Sequence, residues 1–354
     1  MTLVSGGAAA QQTQDTALIE VAQSQSMIWN AVVEEGASIF VAGPRWAGGT
    51  GPQLARIVDG RPVSFPDDSW NSWKPGEDPS HKFVNINALH RDPEGRIWAV
   101  DTGAPEFGGD PIPGAAKLVV IDPAQGKVLR IVRLPANVAQ KGSYVDDIRF
   151  NGTHAYLTDA GKPGLIVLDL VTGQTRRVLD GAPSTVAGPE RNIVVDGKVL
   201  NGPDGRALRV HSDPLEVTPD GQWLLFGPLE GPWSRVPTRV LDDPALRPDA
   251  VAAAVEPFAD LPPMGGSVMD ADGNLYFSSL ADHSIRKRTP AGVVSVIIQD
   301  PRLHWVDAMF ITKDGRLLMP AAQLDRVGLF NGGRSWVQWP VSLFALDLHA
   351  HSEN

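Results

Sequence analysis

The sequence predicts an all-β protein, a six-bladed β-propeller built from four-stranded antiparallel blades. The main observation is a recurring unit: a polar residue, a short strand, a turn ending in Gly and a hydrophobic strand. Copies read NAVVEEGASIFV (30–41), NALHRDPEGRIWAVD (87–101), SYVDDIRFNGTHAYLTD (143–159), EVTPDGQWLLF (216–226), SVMDADGNLYF (267–277) and DAMFITKDGRLLM (307–319). Alternation at period two, bounded by Gly, Asn and Pro, marks antiparallel strands. A single unit cannot bury both faces of its sheet, so copies must pack on one another. The second observation is composition: 36 Gly and 30 Pro fit many short strands joined by turns. The third is an orphan strand, ALIEVA at 17–22. Its natural partner is the last blade, because closing the ring there removes an exposed edge.

In chain order, residues 1–14 read as a flexible tail and 15–354 as one propeller domain. Blade one runs over about 26–63 and blade two over about 85–134. Blade three ends near Leu179, and blade four, about 190–258, begins at RNIVV and carries an insertion with a short helix over 249–255. Blades five and six cover about 264–299 and 303–350. The aperiodic stretch 64–83, with Trp70 and Trp73, reads as a long ordered loop; such loops are often functional.

The 354 residues are 42% hydrophobic, enough for a large core in a single domain. Net charge is −10, from 31 Lys and Arg against 41 Asp and Glu, and no basic cluster stands out. A nucleic-acid partner is therefore not expected. No apolar run has membrane-spanning length, so a soluble chain with no membrane partner is expected. Cysteine is absent, which excludes disulfides, thiolate metal sites and cysteine nucleophiles. The N-terminus has neither a basic nor an apolar signal region, though its small residues before Gln11-Gln12 fit a signal remnant. The compartment stays open between cytoplasm and a periplasmic or secreted location, as does the oligomeric state.

The inner strand of a propeller blade runs along the central channel, so the residue opening each repeat should face it. Those residues are Asn30, Asn87, Asp147, Glu216, Ser267 and Asp307. Polar side chains converging on one axis are costly unless they bind water, a cation or a ligand. Carboxylates and amides together suit a hard divalent cation such as Ca²⁺. They equally suit acid–base catalysis, since neighbouring carboxylates push their pKa values apart. A merely hydrated channel is the third reading. His90, His304 and Trp305 sit beside these positions as further ligand-binding candidates. The Asp-Gly pairs at 220–221, 272–273 and 314–315 are hairpin turns rather than calcium loops, and no phosphate loop or nucleophile elbow is present.

Several segments taken together resemble the yellow/major royal jelly protein family, six-bladed propellers of insects and bacteria. They are IWAVDTG (97–103), KLVVIDPAQGKVLRIVRLP (117–135), AYLTDAGKPGLIVLDLVTGQTRRVL (155–179), PLEVTPDGQWLLFGPLEGPWSRVPTRVLDDP (214–244), SVMDADGNLYFSS (267–279) and HWVDAMFITKDGRLLMP (304–320). The resemblance implies a small-molecule pocket at one channel mouth. Members it resembles include dopachrome-converting tautomerases, amine-binding salivary proteins and storage proteins. More distantly, the architecture is similar to the gluconolactonase/regucalcin group, whose divalent metal is held by Glu, Asn and Asp. Matching positions here are Glu34 or Glu35, Asn87, Asp147 and Asp307. Blade three offers Asp-Asp where that group has Asn, and Glu35-Gly36-Ala37 stands where it has Glu-Gly-Pro. The expectation is an enzyme acting on a small cyclic metabolite, a lactonase-like hydrolase or an isomerase, with Asp147 or Glu216 as base and Asp307 fixing metal or substrate. The alternative is a non-catalytic binder of an amine or polyol.

Overall fold

Six four-stranded antiparallel sheets, five of them simple meanders, surround one axis in a computed structural model that describes residues 18–351. The expected 1–14 tail lies outside the described residues. Blade 1 comprises Ala31–Glu35, Ser38–Ala42, Leu54–Val58 and Arg61–Ser64. Blade 2 comprises Ile86–Arg91, Ile97–Asp101, Lys117–Asp122 and Lys127–Arg133; blade 3 comprises Val145–Asn151, His154–Asp159, Gly164–Asp169 and Thr175–Val178. Blade 4 comprises Ser212–Val217, Trp223–Pro228, Trp233–Pro237 and Glu256–Ala259; blade 5 comprises Ser267–Met269, Leu275–Ser279, Ser284–Arg288 and Val294–Gln299. Blade 6 takes Phe310–Ile311, Arg316–Pro320 and Val341–Asp347 from the C-terminal end and its outermost strand, Ile19–Ser24, from the N-terminal end. Ile19 pairs with Ala345 and Ser24 with Val341, so the orphan strand closes the ring as expected.

Two boundaries differ from the sequence expectation. RNIVV does not begin blade 4. Val194–Val195 and Lys198–Val199 form a separate hairpin, and the blade starts at Ser212. Two-residue strands joined by a tight Asp196-Gly197 turn are too short to form a blade. The helix in the blade 4 insertion is Pro248–Ala253, preceded by a shorter one at Thr238–Asp242.

The core lies between blades, where neighbouring sheets interleave apolar side chains. Val100, Leu118 and Val120 of blade 2 pack in one cluster with Ile148, Leu157 and Ile166 of blade 3. Each such side chain contributes about 1.5–3 kcal/mol of burial. The 64–83 loop joins this framework rather than the channel: Trp70 packs on Phe83, ring centroids 5.0 Å apart, and Trp73 under the Arg45 guanidinium.

Buried carboxylates hold the inner strands in place at the mouth. Asp101 ends the second strand of blade 2 and accepts the backbone N–H groups of Val84 (2.9 Å), Asn85 (3.0 Å) and Gly103 (3.0 Å). The fully buried Lys117 ammonium neutralises it at 2.7 Å. Asp159 repeats the device in blade 3, accepting the Tyr144 N–H at 2.8 Å and neutralised by Arg177 at 2.7 Å. These are the aspartates of the IWAVD and AYLTD segments. Their chemistry explains why a charged residue ends an otherwise apolar strand: it satisfies backbone donors that no neighbouring strand reaches.

Candidate functional site

Three inner strands are irregular where they open. Pairing skips Asn87 in blade 2, Asp146 and Asp147 in blade 3, and Asp213 and Pro214 in blade 4. Such bulges leave residues out of the ladder and re-aim their side chains. Here the residues freed include one amide and three carboxylates, and all of them line a single cavity at the channel mouth. Asn30, Ser267, Trp305 and Asp307 complete the polar side, and Trp46, Phe107, Tyr144, Leu208, Val210, Leu229, Leu324 and Phe330 form the wall. The cavity opens to solvent at the mouth, and the space within it open to the centres of water-sized molecules is ≈ 70 Å³. No Lys or Arg is among the lining residues.

The wall is an aromatic cluster supplied by different blades. Trp46 follows the second strand of blade 1 and lies 4.9 Å from Phe107 of blade 2 and 5.9 Å from Phe330 of blade 6, centroid to centroid. Phe107 is also 5.6 Å from Tyr144. A hydrogen-bond chain leads from this wall to the carboxylates. Trp46 Nε1 donates to Tyr144 Oη at 2.6 Å, and Tyr144 Oη donates to Asn87 Oδ1 at 2.8 Å. Asn87 Nδ2 then donates to Asp146 Oδ1. Burial, with Asp146 and Asp307 nearby, pushes the Tyr144 hydroxyl well above its usual pKa, so it stays a neutral donor.

Asp146 and Asp213 face one another within hydrogen-bond reach. Burial is the main cause that raises both well above the usual carboxylate range, and the negative charges of Asp147 and Asp307 add to it. Two adjacent carboxyls in such a setting share a proton, because both cannot ionise together. Asp307 accepts N–H groups from Ala308 (2.9 Å) and Trp305 (3.2 Å). Burial nevertheless pushes it up to about 8, with the Asp147 charge contributing. Asp307 is only partly buried, which moderates the energetic cost.

A raised carboxylate pKa has a definite stability consequence. The folded chain binds a proton at Asp307 that the unfolded chain, at the ordinary value of 3.8, has lost. Stability from this group is therefore present at acid pH and lost as pH rises from about 4 to about 8. Asp307→Asn carries no such dependence. Its melting temperature should gain on the native chain progressively over that interval and hold a constant advantage above it. A difference independent of pH from 4 to 9 would contradict the assignment.

One step further along the channel, the Arg149 guanidinium fills the lumen. It binds Glu216 through two N–H groups at 3.0 and 2.9 Å and Asp147 at 2.6 Å. Ser267 Oγ donates to the same Glu216 at 2.8 Å. Glu216 thus does not open its strand. It is the fifth residue of Ser212–Val217, and Asp213 occupies the mouth position. His90 lies at the same depth, stacked on Phe150 at 5.8 Å, and burial with Arg149 and Arg91 beside it pushes its pKa well down.

Of the residues singled out from sequence, Asn30, Asn87, Asp147, Ser267, Trp305 and Asp307 come together in the cavity. The set Glu35, Asn87, Asp147 and Asp307 is not gathered around one point. Glu35 ends its strand, at the opposite end of the channel from Asn30, and pairs with Arg91, as Glu34 pairs with Arg316 at 3.2 Å. His304 turns away from the cavity towards Asp325 and His283. Sequence reasoning missed Asp213, Tyr144 and the aromatic wall. One signal was available: Asp213 stands eight residues before Gly221, as Asn87 does before Gly95 and Asp307 before Gly315.

The family model described as major royal jelly protein matches residues 87–332. The chain belongs to the major royal jelly protein family. That match runs from blade 2 into the connection between Arg316–Pro320 and Val341–Asp347 and includes every carboxylate of the cavity. No curated protein sequence matches. Among solved structures, a streptogramin B lyase is similar at 11% identity and a TM-score of 0.49, with 93% of this chain and 97% of that one covered. Virginiamycin B lyase from Staphylococcus aureus is similar at 12% identity and a TM-score of 0.48, covering 86% and 95%. In this royal jelly family member, none of the described helices is long and apolar enough to cross a membrane.

Proposed function

We propose that the cavity is a proton-transfer site acting on a small, cation-forming ring compound, an isomerase of the tautomerase kind. The observation that carries this reading is the Asp146–Asp213 pair: two buried carboxyls in mutual reach, both with raised pKa. One member, ionised, takes a proton from a carbon or nitrogen of the substrate. Its partner, protonated, returns a proton at another position, and the pair recovers its shared proton with no net change. Asn87 and Tyr144 orient Asp146 through the hydrogen-bond chain. The aromatic wall stacks on the ring, and the absence of a lining cation suits a ligand bearing positive charge. A lactonase-like route would draw on a hard cation at Asn87, Asp147 and Asp307. With Glu35 at the other mouth and Asp147 held by Arg149, acid–base chemistry has the better support.

The aromatic wall also favours a second reading, non-catalytic capture of a small amine. One experiment separates the two. Dopachrome is offered to the native chain and to Asp213→Asn, with rearrangement followed by absorbance and dopamine binding by calorimetry. The proposal expects turnover that falls by about 10²–10⁴ in the variant, with amine affinity changed far less. Amine binding without turnover leaves the capture reading. Neither binding nor turnover removes both.

A further inference from the structure

We propose that Asp196, His283 and His304 form a binding site for a zinc-class divalent cation, outside the channel and independent of its carboxylates. The three residues come from the 194–199 hairpin, the turn between the second and third strands of blade 5, and the connection from blade 5 to blade 6. One potential ligand atom from each lies within 4.8 Å of those from the other two, and no other group of three His, Cys, Asp or Glu does so among the described residues.

The detailed contacts fit a metal site better than an ion pair. His304 is 2% exposed, and its Nε2 lies 2.8 Å from Asp325. A carboxylate that takes the N–H of one imidazole nitrogen leaves the other with its lone pair free, the usual second partner of a metal-bound histidine. That other nitrogen, Nδ1, is buried and has no hydrogen-bond partner. The His283 ring lies 4.4 Å from that of His304, centroid to centroid, its Nε2 is 2.7 Å from Asp196, and its own Nδ1 is likewise buried and unpartnered. Each ring thus keeps one buried nitrogen without a partner, which is costly in an ion pair and ordinary in a metal site. Asp196 and His283 both adopt the left-handed backbone conformation, at φ 50° and 54°. Two imidazoles and a carboxylate suit zinc, with a remaining position for water. Asp196 and Asp325 both border a surface groove, which gives the ion a way in.

Such an ion would tie the hairpin to blades 5 and 6 immediately beside the cavity. His304 precedes Trp305, whose indole N–H holds Asp307. The cation therefore braces one wall of the candidate site without entering it.

The test uses the full chain without a histidine tag, stripped with chelator and titrated with Co²⁺ alone. The expected result is one Co²⁺ per chain with the intense visible absorption of a tetrahedral site, bleached by one equivalent of Zn²⁺. His283→Gln and His304→Gln should each abolish that spectrum. Asp325→Asn should keep the stoichiometry but weaken affinity by about 10–100-fold, and the exposed His81→Ala should change nothing. Circular dichroism of each variant keeps a folding defect distinct from loss of a ligand. Absence of a tetrahedral spectrum in the folded native chain, or its survival in the folded His283 and His304 variants, would overturn the proposal.

Discussion

Removing residues 1–24 should leave a chain that does not hold its fold at room temperature. The deletion takes the whole outer strand Ile19–Ser24 from blade 6 and exposes the backbone of Val341–Asp347 along its length. It also uncovers the inter-blade cluster that contains Ala22, Val341 and Leu343. The bared edge is a template for association, and net stability of a domain is only about 5–15 kcal/mol. Loss of a strand with its ladder and burial is of that order. The expected observation is an aggregated or non-cooperative chain by calorimetry and gel filtration. A synthetic peptide covering 18–26 should restore a cooperative transition by adding back the missing strand. A truncated chain that melts cooperatively at the native temperature without peptide would show that the closure contributes little.

Arg149→Met should destabilise the protein by about 3–5 kcal/mol, because it strands Glu216 and Asp147 as uncompensated charges in the channel. Arg149 is 7% exposed and makes both ion pairs at once, and those two carboxylates hold its charge against the cost of burial. The second change Glu216→Gln should recover much of the loss, since it removes the stranded charge. The double-mutant cycle in urea measures that coupling. A single-variant effect below 1 kcal/mol, or no recovery in the double variant, would mean that water enters the channel and solvates the carboxylates. The cycle also tests the site indirectly, because Asp147 released from Arg149 is free to turn towards the Asp146–Asp213 pair.

The repeat units, the six blades and the closing N-terminal strand were legible in the sequence. They depend on period-two alternation and turn residues, which act over a few neighbouring positions. The polar residues at Asn30, Asn87, Asp147, Ser267 and Asp307 were legible for the same reason. A propeller converts the start of every inner strand into a point on one axis, so a local pattern predicts a distant meeting. The aspartates ending IWAVD and AYLTD were visible too, although their role in clamping backbone N–H groups was not.

Other features were decided only by the packed chain. Glu216 and Asp213 stand three residues apart in one strand, and a bulge at Asp213 and Pro214 determines which of them faces the mouth. Its one local mark is the eight-residue spacing from Asp213 to Gly221. Arg149 was silent in the sequence because Glu216, which takes two of its N–H groups, belongs to the next blade. The aromatic wall joins Trp46, Phe107, Tyr144 and Phe330, and the proposed cation site joins Asp196, His283 and His304; each set is scattered along the chain and meets only when the blades close. The sequence by itself determined the strands, their number and the axis on which they converge. Tertiary structure decided which carboxylates face one another and which are spent on an arginine, because those choices depend on burial and on distances between blades.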